Sequence, residues 1–334
     1  MILRILITAD LHLNLLSRDE YRRRFLRTFR DMAREHIVDL VLILGDLADE
    51  KDRHPAELVN LISDHFFRLA GICPVIVLRG NHDYLSPESP FFAFLQRIGN
   101  VAWINEPTGY DDLLGKNTKA LFLPHTNNWE RDWKELDFKG IDYIFTHQSF
   151  QNAESEGGFK LPGIPTSVFP PKSRVIAGDV HLPQKIGPVE YVGSPYTIDF
   201  GDDFQPRVIL LEDGKQTSIP CPGPQKRLIS ITSEENFEKL KFFSVHPGDI
   251  LKVRVQIKDM AQWPKVKDEV KAWGAKHGYI IHALQPVLKE KRSMSSKAAV
   301  SASKSDEQIL RDYAQHRGIE KKTLKTGLKL LEQS

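Results

Sequence analysis

Short runs of apolar, largely β-branched residues recur through the first half of the chain, and each run ends abruptly at polar residues. The runs cover residues 2–9, 38–44, 72–78, 141–146 and 174–177. Unbroken apolar runs of this length are typical of strands whose two faces are both covered by other layers. Between the first runs, apolar residues recur at helical spacing, from Tyr21 to Met32 and from Leu58 to Leu69. The pattern predicts an α/β fold with its functional residues at the carboxyl ends of the strands.

The pattern changes after Pro206, where residues 207–220 are predicted to form a β-hairpin. Gly223 then marks a predicted boundary between a first domain, residues 1–222, and a second domain, residues 223–288. The second domain is predicted to be a small α+β cap, with strands near residues 228–232, 251–257 and 279–284 around a helix near residues 263–277.

Residues 289–304 are rich in serine, alanine and lysine, which predicts a flexible linker. The last segment, residues 305–334, is predicted to be a helical tail with Leu324, Leu328 and Leu331 on one face. Helices this short are marginal in water unless an apolar face is buried. We therefore expect a partner protein to cover this face; the alternative is that the tail folds back onto the cap.

The overall composition excludes several classes of protein. The 334 residues carry 46 Lys and Arg against 44 Asp and Glu, a formal net charge of +2, so binding to nucleic acid would have to come from local patches. The two cysteines, Cys73 and Cys221, lack metal-binding spacing, which argues against a zinc finger or a disulfide scaffold. With no secretory cleavage pattern and no apolar run of about 20 residues, we expect a cytoplasmic protein without a membrane span.

Residue types that bind metals follow five of the predicted strands. They are Asp10 and His12, Asp46, Asn81 with His82, His147, and Asp179 with His181. Each block alone is a weak signal, because a single histidine or an Asp-x-His sequence after a strand is common. Together, these carboxylates, imidazoles and one amide are the inventory of a dinuclear metal site.

In this order, the blocks resemble the calcineurin-like metallophosphoesterase family, whose motifs run D-x-H, G-D, G-N-H-[DE], a single His and G-H-x-H. The resemblance implies a β-sandwich flanked by helices (αββα) and hydrolysis of phosphoesters with two divalent metal ions. By the resemblance, the first ion would be held by Asp10, His12, Asp46 and His181. The second ion would be held by Asp46, Asn81, His147 and Asp179, so that Asp46 bridges the two.

The resemblance also implies catalytic roles for two residues outside the ligand set. In the family, the histidine that corresponds to His82 orients the phosphate or protonates the leaving oxygen. Asp49 follows Asp46 by three positions, the spacing at which related phosphatases carry the acid that pairs with this histidine. We therefore expect the Asp49 carboxylate to orient His82; the alternative is that Asp49 caps a helix or faces solvent.

The chain departs from the family pattern at position 179, where G-D-V-H replaces G-H-x-H. An aspartate can still bind a metal, but it adds a negative charge to the site. Sites rich in oxygen ligands favour harder ions. The sequence therefore predicts Mn²⁺, or alternatively Mg²⁺, rather than Zn²⁺.

Within the family, two further features resemble the SbcD-type nucleases in their compact bacterial or phage form. Tyr191–Arg207 contains Y-V-G-S-P and F-G-D, like the segment that follows the last metal motif in those nucleases, and a cap, a linker and a helical tail follow it. The resemblance implies a DNA exonuclease and single-strand endonuclease of DNA repair, recombination or replication, associated with the nucleoid. It also implies a homodimer within a heterotetramer, with a coiled-coil ATPase of the SbcC type bound through residues 305–334.

Two other functions remain open from the sequence: a small-molecule phosphodiesterase or phosphatase with the same metal motifs, and a non-catalytic scaffold on the same fold. Several other residues have two possible interpretations. His125 could approach the site, although a Pro-His pair at a strand end is more often structural. Arg22, Arg23 and Arg24 could contact DNA phosphates, but an arginine run on an amphipathic helix is more often a solvated face.

Overall fold

The computed structural model describes residues 3–155, 157–202, 204–235, 237 and 245–288, together with Leu324 and Leu328. The chain divides into two units, Met1–Leu288 and Lys289–Ser334. In the second unit, Leu324 and Leu328 are described, both in helical conformation. The predicted linker at 289–304 and the rest of the predicted tail at 305–334 lie outside the described residues.

The described residues form fifteen strands and four α-helices. The strands are β1 (Arg4–Thr8), β2 (Leu40–Leu44), β3 (Val75–Leu78), β4 (Val101–Ile104), β5 (Thr108–Asp111), β6 (Lys119–Leu123), β7 (Tyr143–His147), β8 (Arg174–Gly178), β9 (Gln184–Ile186), β10 (Val189–Tyr191), β11 (Arg207–Glu212), β12 (Lys215–Pro220), β13 (Lys226–Thr232), β14 (Ile250–Ile257) and β15 (Ile280–Leu288). The helices are α1 (Glu20–Glu35), α2 (Ala56–Ala70), α3 (Trp129–Asp132) and α4 (Trp263–Lys276). In the part of the chain that is described, none of them combines the length and the apolar composition that a bilayer crossing needs.

Two six-stranded sheets make up the larger part of the first unit. The first has the order β12-β11-β1-β2-β3-β4, in which β1 to β4 are parallel and the hairpin of β11 and β12 is antiparallel. The second has the order β5-β6-β7-β8-β10-β9, with β6, β7, β8 and β10 parallel. Parallel strands of both sheets therefore end where the predicted metal-binding residues begin.

The two sheets pack face to face through a shared apolar layer. Ile7 and Leu42 of the first sheet pack in one buried cluster with Phe122, Phe145 and Ile176 of the second. Every residue of β2 is buried, because one face of this strand meets the second sheet and the other meets the helices. This burial on both faces explains the unbroken apolar runs in the sequence.

The outer faces of the two sheets are covered differently. Helices α1 and α2 cover the first sheet through residues such as Phe29 and Phe66. The second sheet is covered mainly by connecting segments, with Trp133, Phe150 and Phe169 in their core, and α3 has a single turn. The predicted mixed α/β fold with helices on its sheets is confirmed, with the longer helices on the first sheet.

A third sheet follows the sandwich in the same compact unit. Its order is β13-β14-β15, all strands are parallel, and α4 packs on it through Val266, Val270 and Trp273. The three strands and the helix lie where the sequence predicts them. The domain boundary at residue 222 falls between β12 and β13 and stays a prediction.

The packing between the two sheets predicts a large effect for one substitution. Phe122 is fully buried and stacks on Phe145, with ring centroids 4.9 Å apart. Phe122→Ala should lower the free energy of unfolding by about 3–5 kcal/mol, because apolar contacts are lost and a cavity remains. Phe67→Ala is the matched control: Phe67 is 70% exposed, and its loss should change stability by about 0.5 kcal/mol or less. Urea unfolding measures both, and equal effects would contradict the described packing.

Candidate metal centre

The predicted metal-binding residues converge at one edge of the sandwich. Strands β1, β2 and β3 of the first sheet and β7 and β8 of the second carry them at or just beyond their carboxyl ends. Ligand-type atoms lie within 4.8 Å of one another in three overlapping groups, which are Asp10 with His12 and His181, His12 with Asp46 and His82, and Asp10 with Asp46 and His147. Asp10, His12 and Asp46 each belong to two groups. Asp46 is grouped with His12 and with His147, the histidines expected to bind different ions.

The backbone at this edge is strained. Asp10, His12, Asp46 and Asp179 have positive φ angles of 56°, 39°, 58° and 85°. L-residues rarely adopt this region, and such conformations gather at functional sites where surrounding contacts hold them. The strain turns each side chain inward immediately after its strand.

Three glycines allow the strand ends to approach closely. A Cβ atom on Gly80 would collide with the Asp46 carboxylate. A Cβ atom on Gly45 or Gly178 would lie 2.8 Å or less from ring atoms of His147. The glycines in G-D, G-N-H and G-D-V-H are therefore required, because the side chains of Asp46 and His147 and the neighbouring main chain take the space of a Cβ atom.

His147 is held in one orientation. It is fully buried, and its Nδ1 lies 2.6 Å from the main-chain oxygen of Leu44, so Nδ1 donates to that carbonyl. Its Nε2 lies 3.3 Å from Asp46 Oδ1 and 3.7 Å from Asp179 Oδ1. A histidine that donates from one ring nitrogen to a carbonyl is ready to bind a metal through the other.

The side chain of Asn81 lies among the acceptor atoms of this group. Its side-chain oxygen faces Asp46 Oδ2 at 3.1 Å, Asp46 Oδ1 at 3.2 Å, Asp179 Oδ1 at 3.3 Å and His147 Nε2 at 2.9 Å. Oxygens this close to carboxylate oxygens repel one another unless a cation lies among them or the amide turns to present its nitrogen. The donor set of two carboxylates, one imidazole and one amide oxygen fits a divalent ion.

The other group of donor atoms surrounds His12. His12 Nε2 lies 3.2 Å from His181 Nε2 and 3.3 Å from Asp46 Oδ2. Asp10 Oδ1 accepts a hydrogen bond from the main-chain N–H of Asp179 at 3.0 Å, whereas the buried Asp10 Oδ2 has no hydrogen-bond partner. A buried carboxylate oxygen without a partner fits a second cation. The predicted ligands are thus brought together, and their binding of metal stays a prediction.

The pKa values of the site reflect crowded negative charge. Burial and the neighbouring charges of Asp46 and Asp10 raise the pKa of Asp179 to about 6, and burial raises the pKa of Asp10. Burial would lower the pKa of His147, but the charges of Asp46 and Asp10 outweigh it and raise that pKa well above its ordinary value. The same field that favours a proton on His147 favours a divalent cation.

Asp83 has a structural role that the sequence analysis did not assign. It is fully buried and accepts hydrogen bonds from the main-chain N–H groups of Asp46, Leu47 and Gly80 at 2.9, 2.9 and 2.7 Å. These bonds fasten the loop after β2 to the loop after β3. The sequence feature that could have indicated this role is the acidic position of the G-N-H-[DE] motif, which Asp83 occupies.

The expected pairing of the Asp49 carboxylate with His82 is wrong. His82 Nδ1 lies 2.6 Å from the main-chain oxygen of Asp49, and the His82 main-chain N–H donates to Asp46 Oδ1 at 2.8 Å. The Asp49 carboxylate instead accepts from Arg22 Nη1 at 3.0 and 3.1 Å and lies 3.4 Å from His12 Nδ1. The carboxylate turns toward Arg22 and His12 because both offer it charge or a proton. It therefore neither caps a helix nor simply faces solvent.

The segment 191–207 supports the loop that carries Asp10. The Ser194 hydroxyl donates to the main-chain oxygen of Asp10 at 3.2 Å, and the Tyr196 hydroxyl donates to that of Leu11. Tyr21 of α1 in turn donates to the main-chain oxygen of Thr197 at 2.9 Å. This segment positions the first metal-binding loop.

The three arginines at the start of α1 differ from a uniformly solvated face. Arg22 is buried and donates to the main-chain oxygen of His12 at 2.6 Å. Arg23 donates to the main-chain oxygens of Asn14 and Leu16, and Arg24 pairs with Glu20. Arg24 fits the solvated interpretation, whereas Arg22 belongs to the support of the site.

His125 lies beside the site without joining the donor groups. Its ring centroid is 6.2 Å from that of His147, and its Nδ1 lies 2.8 Å from the Tyr84 hydroxyl. Burial, together with the nearby His147, lowers the pKa of His125 to about 3. His125 is therefore a neutral imidazole at neutral pH, at the border of a cleft that also contains Arg79 and Asn127.

Metal binding tests the two donor groups directly. Titration with Mn²⁺ should show two ions per chain. Asn81→Ala or His181→Ala should each weaken the binding of one ion, whereas Asp46→Asn should weaken both, because Asp46 contacts both groups. Isothermal titration calorimetry measures the stoichiometry and affinities, and circular dichroism controls for folding. A folded Asp46→Asn protein that loses a single ion would contradict the bridging role.

The comparisons with known proteins agree with this geometry. Residues 3–210 match the model of the calcineurin-like phosphoesterase family. Uncharacterized protein R555 of Acanthamoeba polyphaga mimivirus is 21% identical over 359 residues, and the match covers 96% of this chain. This chain spans about a quarter of the length of that relative, because the match covers 25% of it.

Two solved structures show low similarity. A dimetal phosphatase from Danio rerio matches with 10% identity and a TM-score of 0.35, over 66% of this chain and 99% of its own. A glutamine-dependent NAD+ synthetase from Acinetobacter baumannii matches with 9% identity and a TM-score of 0.33, over 95% of this chain and 67% of its own. The family model, in contrast, matches well over half of the chain, including every predicted metal ligand. The chain belongs to the calcineurin-like phosphoesterase family.

Proposed function

We propose that this member of a hydrolase family is a DNA nuclease that cleaves phosphodiester bonds with two divalent metal ions. The observation that carries the hydrolytic part is the convergence of two donor groups on Asp46, with His82 beside them. When bound, two ions in such a site neutralise phosphoryl charge and lower the pKa of a water molecule. Asp179 adds a carboxylate to the site, so we propose Mn²⁺ as the preferred ion, with Mg²⁺ as the alternative.

His82 is the proposed substrate-binding side chain. Its Nδ1 is held by the Asp49 carbonyl, and its ring centroid is 4.8 Å from that of His12. The ring is half-buried, and its Nε2 would bind a phosphate oxygen or the leaving oxygen of the substrate. The carbonyl partner fixes the ring through Nδ1, so that Nε2 is the nitrogen left to contact the substrate.

DNA as the substrate is supported by resemblance. The segment 191–207 resembles that of SbcD-type nucleases, and the third sheet follows the sandwich in the position of their cap. Buried side chains surround the donor atoms on the protein side, whereas Asn81, His82, Asp179 and His181 are only half-buried. An extended polymer can approach ligands that are open on one side.

A small-molecule phosphodiesterase is the second candidate, because a cleft lies beside the metal centre. Its volume is about 590 Å³, within the usual range for ligand pockets, and it is lined by Arg79, Tyr84, Asn105, His125 and Asn127 among others. The Arg79 guanidinium is already occupied by Asn105 and by the main-chain oxygens of Pro87 and His125. The cleft is also lined by Glu88, Glu106 and Asp132, and its second arginine, Arg131, pairs with Asp132 at 2.6 Å. This acidic lining suits a base or a sugar better than a second phosphate.

Cleavage assays distinguish these candidates. With Mn²⁺, linear duplex and single-stranded DNA should be cleaved, and chelation should abolish cleavage. A protein that hydrolyses bis(p-nitrophenyl) phosphate and nucleotide diesters but neither form of DNA would support the small-molecule alternative. A protein that binds both ions and hydrolyses none of these would support the non-catalytic scaffold.

His82→Ala should lower kcat about 10²- to 10⁴-fold, the range for loss of a general acid. Binding of both metal ions should persist, because His82 lies outside the predicted ligand set. His36→Ala, just after α1, is the control and should keep full activity. Full activity of His82→Ala would rule out the role assigned to this side chain.

We also propose that residues 305–334 bind a coiled-coil ATPase of the SbcC type. Leu324 and Leu328 are each in helical conformation. Their spacing of four positions is that of neighbours on one face of a helix, which a partner groove can cover. A chain ending at Lys291 retains the compact unit Met1–Leu288. It should keep Mn²⁺-dependent cleavage and lose both co-purification with the ATPase and stimulation by ATP. Undiminished binding of the ATPase by the shortened chain would exclude the tail as the docking element.

A further inference from the structure

A chain of charged residues, three of them buried and one half-buried, runs from the third sheet to the metal centre. Lys226 is the first residue of β13, and its Nζ lies 3.0 Å from Asp19 Oδ1. Asp19 Oδ2 lies 3.7 Å from Arg22 Nη2. Arg22 Nη1 binds the Asp49 carboxylate at 3.0 Å, and Asp49 Oδ1 lies 3.4 Å from Nδ1 of the predicted ligand His12.

Three of these four charged residues are buried, and Asp49 is half-buried. Asp19, Arg22 and Lys226 are 2%, 3% and 7% exposed. The cations Arg22 and Lys226 lie against the anions Asp19 and Asp49, and the exposed Arg18 lies at the edge of the group, with its Nε 4.0 Å from Asp19 Oδ2. Removal of Lys226 would take away the cation nearest to the buried Asp19 carboxylate, and the remaining groups would rearrange to compensate for it.

Arg22 is shared between the two carboxylates. It lies 3.0 Å from Asp49 and 3.7 Å from Asp19, and Nη1 also donates to the main-chain oxygen of His12 at 2.6 Å. Asp19 is already occupied by Lys226 at 3.0 Å and by the Asn14 amide at 3.1 Å. With these partners on Asp19, Arg22 stays on the side of Asp49 and His12.

The protonation equilibria agree with this geometry. Burial would raise the pKa of Asp19, but Arg22 and Lys226 outweigh it and lower that pKa below its ordinary value. Asp19 is therefore charged at neutral pH, in agreement with its ion pair to Lys226.

We propose that Lys226 is a positioning residue for the first metal ion: by occupying Asp19, it keeps Arg22 on Asp49 and on the main chain of His12. Asp49 then holds His12 Nδ1, so that His12 Nε2 faces Asp46 and His181. Without Lys226, Asp19 loses its nearest cation, and Arg22 moves toward Asp19 and releases His12. The inference rests on the proposed metal centre and not on DNA as the substrate.

The same contacts connect the third sheet to the site. The Lys226 main-chain N–H donates to Thr197 Oγ1 at 2.6 Å, and its Nζ donates to the main-chain oxygen of Ile198 at 2.8 Å. A displacement of β13 would therefore withdraw Lys226 from Asp19. The affinity for the first ion then depends on the placement of the third sheet.

Mn²⁺ binding by the full chain tests the proposal. Lys226→Met keeps the length of the side chain and removes its charge. It should lower the affinity for the first ion about 10- to 100-fold, the range for loss of a contact that orients a metal ligand. In an Asn81→Ala background, which impairs the second site, Lys226→Met should still lower the affinity of the first site. In a His181→Ala background, which impairs the first site, Lys226→Met should not lower Mn²⁺ affinity any further.

The double variant separates positioning from a general loss of stability. Asp19→Asn removes the competing carboxylate, so Lys226→Met with Asp19→Asn should restore affinity to within about threefold of wild type. Glu190→Gln is the matched control: its ion pair with Arg207, at 3.3 Å, is also largely buried and has no described contact with a metal ligand. It should leave Mn²⁺ affinity unchanged.

Arg22→Lys keeps the charge, but a lysine side chain cannot contact Asp49 and the His12 carbonyl together. This variant should therefore also lower the affinity for the first ion. This variant keeps the test open if Lys226→Met does not fold. Wild-type affinity in a folded Lys226→Met or Arg22→Lys protein would overturn the proposal. A double variant no better than Lys226→Met would overturn it as well, whereas a centre that binds no Mn²⁺ in the wild type would refute the metal site itself.

Discussion

The repulsion among Asp10, Asp46 and Asp179 is the constraint on which the rest of this structure depends. Their carboxylates meet at one edge of the sandwich, where Asp10 and Asp46 are buried and Asp179 is half-buried. Divalent cations relieve such crowding, and they can do so only if the ligands lie very close together. The glycines before Asp46 and Asp179 and the positive φ angles of all three aspartates follow from that close approach.

A strained site of this kind needs support from outside the ligand set. Asp83 binds the loops after β2 and β3 together, and the segment 191–207 holds the main chain of Asp10 and Leu11. Arg22 holds His12 from a third direction. The residues that bind and position the metal ions therefore come from both sheets of the sandwich, from α1 and from the start of the third sheet.

The strands and the gathering of the ligands were predictable, because apolar runs followed by metal-binding residues mark strand ends and parallel strand ends share an edge. The contacts that hold these ligands in place from outside the ligand set were not predictable. Arg22 lies in an arginine run that looks solvated, and only the fold shows that this one side chain is buried. The spacing of Asp49 placed it near His82 correctly, but a sequence does not tell a main-chain contact from a side-chain contact. The loop cover of the second sheet has no periodic pattern that would predict it.

Diffraction from crystals grown with Mn²⁺, measured at the manganese absorption edge, tests the dinuclear centre most directly. Two anomalous peaks about 3.5–4 Å apart are expected, as in other two-metal sites. Asp46 should contact both, with Asp10, His12 and His181 around one peak and Asn81, His147 and Asp179 around the other. A single peak, or a second peak out of reach of Asp46, would contradict this account.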